Sequence, residues 1–155
     1  MAISEKIISA QRRIIDRLIQ WEELVGALYK RYAIRFPEQG PAWRQLAREE
    51  QTHAGALGAI RKMLDAGHHL DGIGEFESEL IEQEVGEVRR ALKRADHTEL
   101  RLDEAVSTAR QIESSIIESK FYDVVTCTAP EFERITARLR SDTVRHLEKL
   151  RAINT

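Results

Sequence analysis

The sequence predicts an all-α protein, a bundle of four long helices with a long connection between the second and the third. Three observations indicate this class. Apolar residues recur at helical spacing through nearly the whole chain, strand patterns are scarce, and turn signals such as PEQGP and GHHLDGIG separate periodic segments. The length of 155 residues suits one domain, residues 1–155, with a sizeable core.

The first half of the chain contains the first pair of long helices. The first helix is expected from Ile3 to Phe36, where Pro37 ends it, and the second from Pro41 to Ala66, where Gly67 ends it. A loop follows, and then a shorter helix within residues 75–97. The thin apolar stripe expected on that helix consists of Phe76, Leu80, Val85, Val88 and Leu92.

The second half of the chain contains the other pair. The third helix is expected from Glu99 to Val125, and the fourth from the TAPEF segment to Ile153. In that segment Thr128 is predicted as the N-cap, Pro130 lies in the first turn, and Glu131 completes a capping box. Short loops within each pair and a long crossover between the pairs are typical of the ferritin-like arrangement.

Composition and charge exclude several classes of function. A net charge of −2 gives no global attraction to nucleic acid or to anionic membranes. Cys127 is the single cysteine, so no internal disulfide and no paired-cysteine metal site can form. The charged start MAISEKIISAQRR is unlike a secretory leader, and no run of about 18 apolar residues exists. We therefore expect a cytoplasmic protein that is not bound to a membrane.

Polar residues interrupt the apolar seam of each long helix. Glu22 interrupts the first seam, Glu50 and His53 the second, Glu113 the third, and Asp142 and His146 the fourth. Glu23 competes with Glu22 for the inner position, and Glu118 competes with Glu113; the phase of each seam favours Glu22 and Glu113.

Carboxylates gathered in a dry core repel one another, and a metal cation between them removes that repulsion. Residues three apart on a helix share a face, so Glu50 and His53 can reach one ion. The plainer alternative for these two residues is a buried ion pair. We assign Tyr29 and Tyr32 to the core, with a hydrogen bond from Tyr29 to a ligand carboxylate as a second role.

One segment carries a family resemblance. The stretch WEELVGALYKRYAIRFPEQGPAWRQLAREEQTHAGAL resembles the first helix pair of rubrerythrin-like proteins in the ferritin-like superfamily, and IESSIIESKFY and LRSDTVRHLEKL resemble the second pair. The resemblance implies Glu22 and Glu113 as single carboxylate ligands, Glu50 with His53 as the first Glu-x-x-His, and His146 as the second histidine. Thr143 stands where the second motif has glutamate, and Asp142 is the candidate replacement.

The resemblance implies a function as well. We expect a site for one or two iron ions, with manganese or zinc as alternatives, and an oxidase or peroxidase reaction with O2 or H2O2. The chain lacks the cysteine-rich rubredoxin part, so an external electron donor is expected, and a homodimer is the expected assembly. The competing hypothesis is a non-catalytic binding or scaffold protein with a degenerate metal site.

Overall fold

The structure is a computed structural model that describes residues 4–76 and 78–153, and in that part of the chain it is all-helical. Two short 3-10 turns, Pro37–Gln39 and Ile73–Glu75, accompany six α-helices. The helices are α1 Glu5–Arg35, α2 Gly40–Asp65, α3 Ser78–Ala95, α4 Leu102–Glu113, α5 Ile116–Val124 and α6 Pro130–Ala152. The described residues contain no strand beyond one antiparallel bridge between Asp71 and Thr126. The all-α prediction is confirmed.

Helices α1 and α2 form an antiparallel pair. The predicted start at Ile3 lies outside the described residues, and α1 ends before Pro37, as predicted. Two ion pairs join the start of α1 to the end of α2: Arg12 with Asp65 at 3.0 Å, and Asp16 with Arg61 at 3.0 Å. Antiparallel packing brings the middles of the two apolar seams together.

The predicted glycine stop of α2 is confirmed. Gly67 has φ +98°, a left-handed conformation in which a side chain is strained. The amide of Gly67 donates to the carbonyl of Leu64, and the amide of His68 donates to that of Met63. These two bonds are those of a Schellman motif, which satisfies the last carbonyls of a helix.

Helix α3 packs on the outside of α1 and runs parallel to it. Arg17 pairs with Glu82 near the start of α3 at 2.5 Å, and Arg31 pairs with Asp96 just after its end. The predicted stripe is confirmed: Phe76, Val85 and Val88 are buried, and Leu80 and Leu92 are half-buried and pack against the core. The buried residues in and just before α3 are Phe76, Ile81, Val85, Val88 and Ala95.

The predicted third helix consists of two helices, because the helix is interrupted at Ser114 and Ser115. Ser114 is the C-cap of α4 and Ser115 is the N-cap of α5, where its side chain accepts a hydrogen bond from the amide of Glu118 at 3.4 Å. A serine followed three residues later by glutamate is the capping-box pattern that starts a helix. That local signal outweighs the apolar periodicity, which alone favours one continuous helix.

The start of α6 also differs from the prediction. Its N-cap is Ala129 and not Thr128, and the cap carries no side-chain hydrogen bond. Pro130 takes the first helical position, where the fixed φ of proline suits a helix and the missing amide would have no partner. The helix therefore begins at the proline, and its N-cap lies one residue after the predicted one.

Helix α6 is antiparallel to α2 and to the α4–α5 segment. Lys149 pairs with Glu49 of α2 at 2.7 Å, and Arg140 pairs with Asp123 of α5 at 2.7 Å. Because of these helix directions, the polar interruptions of the four seams face one another near the middle of the molecule.

None of the helices in residues 4–76 and 78–153 carries an apolar stretch of the length that a membrane span needs.

Candidate metal centre

All six residues predicted for the site are buried. Their exposed fractions are 4% or less, and they come from four helices: Glu22, Glu50, His53, Glu113, Asp142 and His146. The neighbouring Glu23 is exposed, so the seam phase assigned Glu22 correctly. Burial of so many ionisable groups needs compensation, because each charge loses its hydration in the core.

His146 lies at the centre of one cluster of carboxylates. Its Nδ1 is 3.0 Å from an oxygen of Glu50 and 3.2 Å from an oxygen of Glu113. Its Nε2 is 2.6 Å from an oxygen of Glu49, which also pairs with Lys149 at the rim. Glu49 was not predicted for the site, because this residue lies beside the α2 seam and reaches the site only through His146.

His53 forms a second cluster beside the first. Its Nε2 lies 3.2 Å from Asp142, and its Nδ1 lies 3.5 Å from Glu50. The rings of His53 and His146 stack with centroids 5.1 Å apart. Asp142 also accepts a hydrogen bond from Arg145 one turn along α6. Asp142 therefore helps to orient the His53 ring, and Arg145 partly neutralises the charge of Asp142.

Glu118 joins the site, although the sequence favoured Glu113 over it. Both are buried, at 4% and 2% exposure. Five residues on one continuous helix would turn the two side chains about 140° apart, so only one could face inward. Because a new helix starts after Ser115, the two side chains do not follow one helical repeat, and both lie in the core. Thr143 donates a hydrogen bond to Glu118 at 2.8 Å.

A tyrosine positions one of the carboxylates. The hydroxyl of Tyr29 donates to an oxygen of Glu113 at 2.7 Å, as the sequence analysis proposed in its second role for this residue. Tyr29 is completely buried, and its ring packs at 5.6 Å from Trp43 and at 6.4 Å from Tyr32. A rigid aromatic cluster therefore fixes the orientation of Glu113.

Electrostatic repulsion in the core perturbs the carboxyl groups. Burial, together with the charges of Glu118 and Glu50, raises the pKa of Glu22 well above its ordinary value. Burial and the charges of Glu113 and Glu50 raise the pKa of Glu118 to about 8. Burial and the charge of Glu50 likewise raise the pKa of Glu113. Without a metal ion, these three carboxyl groups keep their protons to a higher pH than usual.

Two other groups, Glu50 and His146, are stabilised in their charged forms. Burial raises the pKa of Glu50, but the close contacts with Glu22 and with the two histidines outweigh burial and hold the pKa below its ordinary value. Burial lowers the pKa of His146, but the adjacent Glu113 and Glu50 outweigh burial and raise that pKa to about 11. The core without metal thus centres on an ionised Glu50 and a protonated His146.

Among the residues that the structure describes, two groups of buried side chains are close enough to bind a metal ion. Glu50, His53 and His146 form one, and Glu22, Glu50 and Glu118 form the other; within each group the ligand atoms lie within 4.8 Å of one another. Glu50 belongs to both. The first group offers nitrogen and oxygen ligands, and the second offers only oxygen, and both sets suit iron, manganese or zinc.

Unpartnered buried atoms provide a test of fit for a metal. In the described part of the chain, several ligand-type atoms make no hydrogen bond: Glu22 Oε2, both carboxyl oxygens of Glu50, His53 Nδ1 and His146 Nε2. Some of these atoms have a close charged neighbour without a hydrogen bond of normal geometry: His146 Nε2 lies 2.6 Å from Glu49, and a Glu50 oxygen lies 3.0 Å from His146 Nδ1. A buried polar group left without a hydrogen bond destabilises a protein by about 1–3 kcal/mol. A cation bound by these atoms would satisfy them, so the residues fit a metal.

The site as a whole can hold a cation in a dry, carboxylate-rich core. The glutamates come from α1, α2, α4 and α5, Asp142 comes from α6, and the two histidines come from α2 and α6. No family model, no curated protein and no solved structure matches this chain.

Proposed function

We propose that this chain is a metal-binding protein whose buried Glu and His residues hold one or two iron ions, or manganese in their place. The observation that carries the proposal is the position of Glu50. It belongs to both ligand groups, is 1% exposed, and its oxygens make no hydrogen bond of normal geometry although His146 lies 3.0 Å away. Glu22, Glu113 and Glu118 are buried around it with raised pKa values, and a metal cation bound among these groups would relieve their repulsion.

The ligand assignment follows from the two groups. One ion would be held by Glu50, His53 and His146, and a second by Glu22, Glu50 and Glu118. Glu113 and Asp142 contact the two histidines, where they would orient the rings or add a ligand. In this proposal Glu118 from α5 supplies the carboxylate that Thr143 cannot.

We further propose a ferritin-like arrangement of the long helices, in line with the rubrerythrin resemblance. The directions of the helices support it. Helix α2 is antiparallel to α1, since Arg12 pairs with Asp65, and α6 is antiparallel to α2, since Lys149 pairs with Glu49. The hydrogen bond from Tyr29 to Glu113 connects α1 with α4 through their side chains.

The chemistry proposed is the reduction of O2 or H2O2. A bound redox-active metal such as iron supplies the electrons for that reduction. The chain itself keeps the site dry, holds Glu113 through Tyr29, and connects His146 to the rim through Glu49 and Lys149. That connection offers a route for protons between the core and the solvent. An external protein would resupply the electrons, and a homodimer is proposed as the assembly.

A second candidate function is a non-catalytic scaffold. The specific observation in its favour is that His146 lies within 3.2 Å of Glu49, Glu50 and Glu113. A protonated imidazole among three carboxylates neutralises part of the core charge without any metal. In that case the polar cluster fixes the packing of the helices and serves no reaction.

Metal content decides between the two candidates. The protein is expressed with added iron, purified without a His tag, and analysed for metal per chain. We expect one or two equivalents, and a sharp loss in Glu50→Ala with His53→Ala. The matched control is Glu23→Ala with His97→Ala, which removes the same two residue types from exposed positions.

Three outcomes are informative. About two equivalents support both ligand groups, and about one supports the group that contains the histidines. No metal after anaerobic addition of Fe(II) would refute the metal proposal and favour the scaffold. Metal content that is unchanged in the Glu50 and His53 variant would refute the ligand assignment, provided that circular dichroism shows the variant to be folded.

A further inference from the structure

A cavity of about 460 Å³ lies between α1 and α2, next to the candidate metal centre. Small residues of both helices line much of it: Gly26, Ala27, Ala47, Ala54 and Gly55. A methyl group added at Gly26 would lie 3.5 Å from the carbonyl of Ala47 and from Cβ of Glu50. The helices are therefore close at Gly26, and the open space results from the lack of larger side chains around it.

Glu22 connects this cavity to the metal centre. It lines the cavity, and it also belongs to the ligand group that contains Glu50 and Glu118. Its side chain is 1% exposed, and its Oε2 has no hydrogen-bond partner among the described residues. A buried carboxyl group that lines a cavity and has an unsatisfied oxygen points to a ligand that reaches the group from that cavity.

The polar groups of the cavity suit a cation. Glu23 and Gln51 are exposed and offer oxygen atoms on opposite walls, and Glu22 offers carboxyl oxygens inside. Lys30 is the one cation among the lining residues, and it is exposed, so its ammonium group can remain in water. Since one water molecule occupies about 30 Å³ in the liquid, the cavity has room for a divalent ion with part of its water shell.

We propose that the α1–α2 cavity is the port through which a divalent cation enters the core, with Glu22 as the first carboxylate that it meets. The inference rests on the proposed metal-binding function. It adds the route of entry, which the ligand groups by themselves do not define. The small residues keep the port open, and Glu22 passes the ion to the oxygens of Glu50.

The test fills the port and measures the rate of metal uptake. Co²⁺ is the probe, because its absorption reports binding without turnover, and it is mixed rapidly with the metal-free protein. Gly55→Leu places a large side chain on the α2 wall, where a Cβ meets nothing within 4 Å, and Ala27→Leu does so on the α1 wall. Gly58→Leu is the matched control, because Gly58 is also open but does not line the cavity.

We expect Co²⁺ uptake to slow by about tenfold or more in the two port variants, with the final amount bound unchanged. The control should bind at the rate of the unmodified chain. Each glycine replacement favours the helix, so loss of folding is not the expected effect. Equal rates in Gly55→Leu and Gly58→Leu would overturn the port alone. No Co²⁺ binding by the unmodified chain would overturn the metal-binding function and the port with it.

Discussion

Replacement of Glu118 by glutamine should stabilise the metal-free protein and weaken its metal binding. Glu118 is 4% exposed, and burial with the charges of Glu113 and Glu50 raises its pKa to about 8 from an ordinary value of 4.5. Glutamine keeps the shape and can still accept the hydrogen bond of Thr143, which is 2.8 Å long. Glutamine cannot acquire the negative charge that the carboxyl group takes on above its pKa, and that charge is what would bind a metal cation.

The size of the effect follows from proton linkage. The folded state holds a proton on Glu118 up to about pH 8, whereas the unfolded chain releases it near pH 4.5. The free energy of unfolding therefore falls as the pH rises between these values. At about 1.4 kcal/mol for a tenfold change in proton concentration, the loss is about 1 kcal/mol at pH 5 and about 4 kcal/mol at pH 8. The variant avoids this loss, so its advantage should grow by about 3 kcal/mol between pH 5 and pH 8.

Urea unfolding of chelator-treated protein at pH 5 and pH 8 measures this difference. Glu23→Gln, at an exposed position of α1, is the control and should show no such dependence on pH. A Glu118→Gln variant that is less stable than the unmodified chain at pH 8 would refute the reasoning, because it would mean that an ionised Glu118 is favourably paired. Co²⁺ titration of the same variant should show weaker binding.

Three further substitutions test contacts around the site and the end of α2. Tyr29→Phe removes the donor to Glu113 and should lower the free energy of unfolding by about 1–3 kcal/mol in urea unfolding; an unchanged value would mean that this hydrogen bond adds no stability. Thr143→Val should cost about 1 kcal/mol through the lost bond to Glu118, whereas Thr143→Ser should retain the bond and the stability. Gly67→Ala forces a side chain into a φ of +98° and should destabilise by about 1 kcal/mol, which thermal melting would record as a drop of about 2–4 °C. No drop would mean that the loop adjusts its backbone.

The apolar periodicity was sufficient to predict α1, α2 and the inward side of each. A repeat of three and four residues reports directly which side of a helix avoids water, so Glu22 and Glu50 could be assigned from the sequence. The stop at Gly67 was predictable for a local reason, namely that glycine tolerates a positive φ.

Features that depend on competing local signals were not predicted. Ser115 with Glu118 is a capping pattern inside an apolar repeat. The cap starts α5 at a point where the repeat favoured continuation of α4. The start of α6 was misplaced by one residue, because Thr128 and Pro130 each mark a helix start and the proline determined the position. Both errors arose where two short-range preferences conflict.

Glu49 depends on tertiary contact and could not be assigned from its own helix. It is one residue out of phase with the α2 seam, and it reaches the site only because His146 extends toward it from α6. Prediction of such a residue requires the axial alignment of two packed helices that are far apart in the sequence. Periodicity within one helix does not contain that information.

The break between α4 and α5 has a consequence for how metal sites are recognised in sequences. On one helix, residues three or four apart are neighbours on the same face, so a pair of ligands is expected at one of these spacings. Glu113 and Glu118 are five apart, yet both are buried, since Ser115 starts a new helix between them. A pair of serines can thus bring together two acidic residues that no single helix would, and such pairs escape any search based on one uninterrupted helical period.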